Sequence, residues 1–225
     1  LAASDGLTGL ANRRAFQERL EEEVDRSERY QHSFTLMILD VDHFKKVNDT
    51  YGHTAGDVVL RGLAGLLKAA VRTVDFVVRY GGEEFVILLP ETGGTHGREV
   101  AERIRKQTAR TSVTLPDGKE ISLTVSLGVA CYPACGRKAS DLVERADQAL
   151  YIAKQSGRDR VCLYWETLKA QIEKDPGRIT AMLNENVESL YPIVSAVDVK
   201  TSFSRDHAEK VERIAVRLGG ALGLP

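Results

Sequence analysis

The residues best suited to chemistry lie in two stretches far apart in the chain. Phe34-Thr35-Leu36-Met37-Ile38-Leu39 is an apolar run ending in Asp40-Val41-Asp42, and Gly81-Gly82 is followed at once by Glu83 and Glu84. A carboxylate that ends a buried strand lies where open α/β sheets commonly place their sites. If the two stretches are neighbours, Asp40 and Glu83 converge. Two carboxylates, backbone carbonyls and phosphate oxygens suit a hard ion such as Mg²⁺, which keeps few protein ligands and shares the rest with a substrate. Spacing alone leaves a second reading level with this one, in which Asp40 caps the following turn and Glu83 is solvated. Taken by itself, Gly-Gly-Glu-Glu is a solvated hairpin tip. Asn48, Asp49 and Asp57, also by themselves, are turn and cap residues. Lys154 and Arg158 are basic residues at a helix C-terminus, where the dipole favours them.

The surrounding pattern says what must hold these groups. Asp75-Phe76-Val77-Val78 and Phe85-Val86-Ile87-Leu88-Leu89 flank the two glycines, which predicts a hairpin with a two-residue type I′ turn and both glycines at positive φ. Without Cβ atoms, Gly81 and Gly82 let another molecule approach the backbone. Residues 12–29 read as a helix with Phe16, Leu20 and Val24 inward. The run 34–39 is short and continuous, as expected of a central strand buried on both faces. Residues 47–56, with Asn48, Asp49, Gly52 and Gly56, are expected to be a loop, and 57–71 a helix.

Gly93-Gly94 precedes a helix over 95–109, with Val100, Ile104 and the stem of Gln107 inward. Strands at 113–115 and 121–130 pair across Pro116-Asp117-Gly118. Residues 140–155 form a helix capped by Ser140 and stopped by Gly157, and 161–164 a last strand. The expected class is α/β (α+β), with a mixed sheet of about five strands and helices on both faces. From Trp165 the character turns polar and helical, without strands, so a boundary is expected between 166 and 177.

Composition narrows the function. The 225-residue chain is 43% hydrophobic and 28% charged, so it can build a water-soluble core, and its net charge of −1 argues against a nucleic-acid polymer as partner. Cys131, Cys135 and Cys162 are odd in number without zinc spacing, which fits free thiols in a reducing, cytoplasmic compartment. No apolar run is long enough to span a bilayer. No signal peptide is visible, and the chain opens at Leu1 without an initiator Met. A longer native protein is therefore expected, with any membrane attachment upstream.

Five blocks carry a resemblance. They are Asp5-Gly6-Leu7-Thr8-Gly9-Leu10-Ala11-Asn12-Arg13-Arg14; Asp40-Val41-Asp42-His43-Phe44-Lys45-Lys46-Val47-Asn48-Asp49 with Gly52-His53; Gly56-Asp57; Arg79-Tyr80-Gly81-Gly82-Glu83-Glu84-Phe85; and Ala153-Lys154-Gln155-Ser156-Gly157-Arg158. In order and spacing they resemble the GGDEF family over about residues 1 to 164, here as the GGEEF variant. The resemblance implies a nucleotidyl-cyclase-like fold and a diguanylate cyclase, which condenses two GTP into cyclic di-GMP and releases two pyrophosphates.

The resemblance also implies roles. Asp40 and Glu83 would be the side-chain ligands of two Mg²⁺ per site, Mn²⁺ being an alternative, with the Val41 carbonyl assisting. Glu84 would be a base or second-site ligand. Asn48 and Asp57 would read guanine, since a carboxylate accepts from N1–H and the 2-amino group, which adenine does not offer. Phe44 and Lys45 match the phosphate-cradling turn, while Lys154 and Arg158 match the cations reaching the β- and γ-phosphates. Arg72-Thr73-Val74-Asp75 matches an RxxD site for inhibitory cyclic di-GMP, with Arg79 as a further contact; a surface ion pair worth ~0.5 kcal/mol is the plainer reading. Because each domain holds one nucleotide and the product needs two new bonds, a homodimer is implied.

The tail, from Ala196 through His207 to Leu224, resembles the first helices of an HD-GYP domain without its defining motif. The expected organisation is a cyclase domain at 1–165, a helical linker at 166–190 and an N-terminal HD-GYP fragment at 191–225. A module that senses GTP or cyclic di-GMP and regulates an adjoining phosphodiesterase is the competing reading. A general GTPase is not supported, since no GxxxxGK[ST] loop occurs.

Overall fold

The structure, a computed structural model, describes residues 3–167. The chain runs β1 (Ala11–Asn12), α1 (Arg13–Tyr30), β2 (Phe34–Val41), α2 (Phe44–Tyr51), α3 (His53–Ala70), β3 (Phe76–Gly81), β4 (Glu84–Leu89), α4 (Gly94–Arg110), β5 (Ser112–Thr114), β6 (Glu120–Ser122), β7 (Val125–Tyr132), α5 (Ala139–Gln155) and β8 (Val161–Leu163). Six strands form one mixed sheet in the order β1-β3-β4-β2-β7-β8, and β5-β6 is a separate ribbon. β2 is antiparallel to both neighbours, while β1 joins β3 and β8 joins β7 in parallel. The expected mixed sheet is therefore present, with two-residue β1 as the strand that sequence patterning did not reveal.

All eight residues of β2 and of β7 are buried, because helices cover both faces. Thr35 lies against Gly97 of α4, whereas Ile38 and its β7 partner Gly128 face the other way, toward α5. Gly128 is where α5 comes closest: a Cβ there would sit 2.0 Å from the Ala146 carbonyl oxygen and 2.3 Å from the Leu150 nitrogen. α1 shares the α5 face, and α3 packs beside α4 on the other.

Several local expectations are corrected. Residues 47–56 are not a loop: α2 and α3 nearly abut there, separated by Gly52 at φ 82°, whose N–H returns to the Asn48 carbonyl. The Asn, Asp and Gly of this segment are turn formers, but the buried Phe44 ring anchors the short helix to the core. The hairpin turn is centred on Gly82-Glu83, since Gly81 pairs with Glu84 after a register shift at Tyr80. Only Gly82, at φ 46°, takes the left-handed region.

On α1 the buried stripe runs Phe16, Leu20, Glu23, Ser27, with Val24 only partly covered. Fourfold spacing drifts off a 3.6-residue helix face, so the stripe steps back by three. On α4 the inward side chains are Ala101, Ile104 and Thr108, and Gln107 is exposed. The predicted strand 121–130 is two strands in different sheets, and α5 begins at Ala139 after Lys138, without a side-chain cap from Ser140. The linker and HD-GYP expectations lie outside the described residues. No helix among the described residues is long and apolar enough to cross a membrane.

Candidate active site

The ends of β2 and β4 build the site. Asp40 and Glu84 are opposed partners in the antiparallel register, so their side chains emerge on the same face. The Val41 N–H reaches the Glu83 carbonyl at 3.4 Å, which brings the turn glutamate to the end of β2. The two acidic stretches thus meet, although more than forty residues separate them in sequence. Ser126 of β7 is Asp40's other partner.

Asp42 fastens the strand end. It accepts from Thr124 Oγ1 at 2.8 Å, Ser126 Oγ at 2.7 Å and the Asp159 N–H at 3.0 Å. The last bond fixes a loop in which Arg158 and Asp159 both hold positive φ, and so positions Arg158 near the site.

The charges are strongly coupled. Burial pushes the Asp40 carboxyl up, the Lys154 hydrogen bond and charge pull it down, Asp42 raises it and Arg158 lowers it. Glu83 is raised by burial and by Asp40, partly offset by Lys154. Glu84 is raised by burial and Asp40, against Lys154, with smaller influences from Asp147 and Arg13. Lys154 Nζ, on the last turn of α5, donates to Asp40 Oδ2 at 2.7 Å. Three carboxylates raised by burial and mutual repulsion are an oxygen donor set short of positive charge. Among the described residues no three His, Cys, Asp or Glu side chains form a metal cage on their own. A cation here would complete its shell from water or from a bound ligand.

Beside this cluster lies a second polar feature. Asn48 Oδ1 is buried without a hydrogen-bond partner, which costs free energy unless a ligand meets it. Gly56 makes the space for it: a Cβ there would lie 2.1 Å from that oxygen. Asp57 follows Gly56 on α3, half-buried. Phe44 and exposed Lys45 open α2, immediately after the β2 carboxylates.

A family description, "Diguanylate cyclase, GGDEF domain", matches residues 2–160. The chain belongs to the GGDEF family. It is 48% identical over 161 residues to diguanylate cyclase DgcP of Pseudomonas aeruginosa, covering 71% of this chain and 24% of that protein. It is 41% identical over 162 residues to the response regulator PleD of Caulobacter vibrioides, covering 72% and 36%. The chain thus spans less than half the length of these curated relatives. Among solved structures, it is similar to the GGDEF domain of DgcB from Caulobacter crescentus in complex with c-di-GMP, with TM-score 0.69, 36% identity, and 73% and 96% of the two chains covered. It is similar also to the active GGEEF domain of a diguanylate cyclase from Vibrio cholerae, with TM-score 0.64, 34% identity and 69% and 97% coverage.

Within this GGDEF fold the residues named from sequence do not all come together. Asp40, Val41, Glu83, Glu84 and Lys154 gather at one strand end, and Phe44, Lys45, Asn48 and Asp57 line the adjoining helix pair. Arg72 and Asp75 lie at the opposite end of β3–β4 and hold each other: Arg72 Nη2 donates to Asp75 Oδ1 at 2.7 Å, to the Pro90 carbonyl at 3.0 Å and to Thr92 Oγ1 at 2.9 Å. Arg79 is not with them. Its guanidinium donates to both Asp5 oxygens at 3.2 Å and to the Gly82 carbonyl at 2.8 Å, so it fastens the hairpin tip to the N-terminal segment.

Sequence reading did not foresee the roles of Asp5, Asp42 and Gly56 as positioning residues. Asp5 was visible only as part of a motif; its burial would raise its carboxyl, but hydrogen bonds from Thr8 and Arg79 hold it below the ordinary range. The signal for Gly56 was its place next to Asp57, where a glycine in a helix needs a packing reason.

Proposed function

We propose that this GGDEF domain is a diguanylate cyclase, condensing two GTP into cyclic di-GMP with release of two pyrophosphates. The observation that carries the reading is the meeting of Asp40 with Glu83 and Glu84 at one end of the central strands, their charge only partly offset by Lys154. The donor set fits a hard divalent cation shared with phosphates. Asp40, Glu83 and the Val41 carbonyl would hold it. Two bound Mg²⁺, or Mn²⁺, would activate the ribose 3′-hydroxyl and stabilise the α-phosphate and leaving pyrophosphate.

The chain's own residues do the rest. Asn48, with its unpartnered oxygen, and Asp57 take the guanine edge. The Phe44–Lys45 turn presents N–H groups at the start of α2, where a helix favours phosphate oxygens. Lys154 and Arg158 offer charge-assisted hydrogen bonds to the outer phosphates. Glu84 lies beside Asp40, placed to receive a proton or to hold a second cation.

One pocket per domain requires a second copy for turnover, so catalysis belongs to a homodimer in which each hydroxyl meets the other's α-phosphate. We assign the product, cyclic di-GMP, to Arg72 and Asp75 as an inhibitory ligand, in a protein working in the cytoplasm. The relative from Caulobacter crescentus carries c-di-GMP in its structure, which supports the product class. The Vibrio cholerae relative is described as an active GGEEF domain, which supports Glu in place of Asp at position 83.

The test is product analysis by chromatography after incubation with GTP and Mg²⁺, at high and low protein concentration. Cyclic di-GMP should form, more per chain at high concentration, and Glu83→Ala should abolish it. Nucleotide bound without turnover in an enforced dimer would instead make the domain a sensor.

A further inference from the structure

We propose that Lys154 couples cation binding to nucleotide binding, by serving as a removable counter-charge on Asp40. The inference rests on the cyclase reading and specifies how its site is filled. Lys154 Nζ lies 2.7 Å from Asp40 Oδ2, Asp40's side chain is only 10% exposed, and the same carboxylate's charge is felt by Glu83 and Glu84. An ammonium at that distance and a divalent cation on the same oxygen would repel one another. In a half-buried setting such repulsion is felt strongly, because water screens it poorly. The two states therefore oppose one another: the Lys154 ion pair weakens cation binding at Asp40.

Lys154 is built to leave. It sits on the last turn of α5, its side chain is 31% exposed, and its charge rides on a flexible four-carbon stem. Without a nucleotide, the displaced ammonium goes to water and the Asp40 hydrogen bond is lost. With a nucleoside triphosphate present, it exchanges a carboxylate for phosphate oxygens. A free divalent cation thus binds against the ion pair, whereas a cation arriving with the triphosphate does not. Cation and nucleotide then strengthen one another's binding, and by linkage the effect is reciprocal. Glu83 and Glu84 add to the effect, since Lys154 is the cation that offsets each of them most.

The experiment measures Mn²⁺ binding to the nucleotide-free protein by electron paramagnetic resonance, which needs no turnover. Lys154→Met keeps most of the stem and removes the charge. It should bind Mn²⁺ about tenfold more tightly than the wild type, a difference of ~1.4 kcal/mol. Lys154→Arg, which keeps the charge, should bind as weakly as the wild type. Adding Asp40→Asn to Lys154→Met should erase the gain, which locates it. With 3′-deoxy-GTP, which cannot condense, Mn²⁺ should raise nucleotide affinity by a larger factor in the wild type than in Lys154→Met. Unchanged or weaker Mn²⁺ binding by Lys154→Met overturns the coupling, and if the wild type still forms cyclic di-GMP the cyclase reading stands. Absence of both Mn²⁺ binding and product in the wild type overturns both.

Discussion

Neutralising Glu84 should make this protein more stable while destroying its proposed activity. Glu84 and Asp40 are directly opposed on β4 and β2, and their side chains share one face. Like charges so placed are destabilising by about 0.2–1 kcal/mol, the range of cross-strand pairs. Glu84→Gln keeps the shape and removes the repulsion, so a gain of about 0.5 kcal/mol is expected at neutral pH. For a domain of this size that is a rise of about 1–2 °C in Tm.

The pH dependence follows from the raised Glu84 carboxyl, which burial and Asp40 cause. A carboxyl whose folded value is raised favours the folded state while protonated, and that contribution is lost as pH rises through the folded value. The wild type should therefore recover ground on acidification, and the gap between it and Glu84→Gln should narrow as pH falls from neutral toward the ordinary carboxylate range. Thermal unfolding must be followed without divalent cations, because a ligand of the native state would stabilise the wild type by mass action. A variant less stable than the wild type at neutral pH, or a gap that ignores pH, would refute the electrostatic account.

The remaining predictions concern other parts of the molecule. Gly56→Ala places a methyl 2.1 Å from Asn48 Oδ1 and 3.1 Å from the Phe44 ring, so GTP affinity by calorimetry should fall about tenfold; unaltered affinity would remove Asn48 from the nucleotide pocket. Gly128→Ala drives a methyl into the backbone of α5 and should cost about 1–3 kcal/mol in urea unfolding; a cost near zero would mean that α5 is not pressed onto β7. Arg72→Ala should lose cyclic di-GMP binding in calorimetry, and unchanged product affinity would end the inhibitory-site assignment.

Much of this architecture was legible because burial leaves its mark on composition. The run Phe34 to Leu39, apolar at every position but Thr35, is expected only if both faces are covered, and β2 is indeed covered by α5 on one side and α4 on the other. The two glycines and two glutamates announced a turn beside acidic groups. Local rules failed where a neighbour overrode them. Residues 47–56 carry turn formers yet are helical, because Phe44 is held in the core and Gly52 ends one helix as the next begins. The turn moved one residue along, to Gly82-Glu83, because the ladder shifts register at Tyr80, whose ring packs edge-on to Phe16 of α1. Arg79 looked like a ligand for phosphate from its type alone; whether a guanidinium is free depends on Asp5, seventy-four residues away.

The sequence by itself determined the chemical inventory: which carboxylates, amides and cations are present, that they belong to the GGDEF pattern, and that strands and helices alternate around an apolar core. Side-chain type and periodicity are local properties, so one dimension is enough to read them. Only the tertiary structure decided that Asp40 opposes Glu84, that Lys154 reaches Asp40 from α5, and that Asn48 faces an empty glycine rather than a partner. Those are distances between distant segments, fixed by strand register and helix packing, and they set the charge balance on which the proposed chemistry turns.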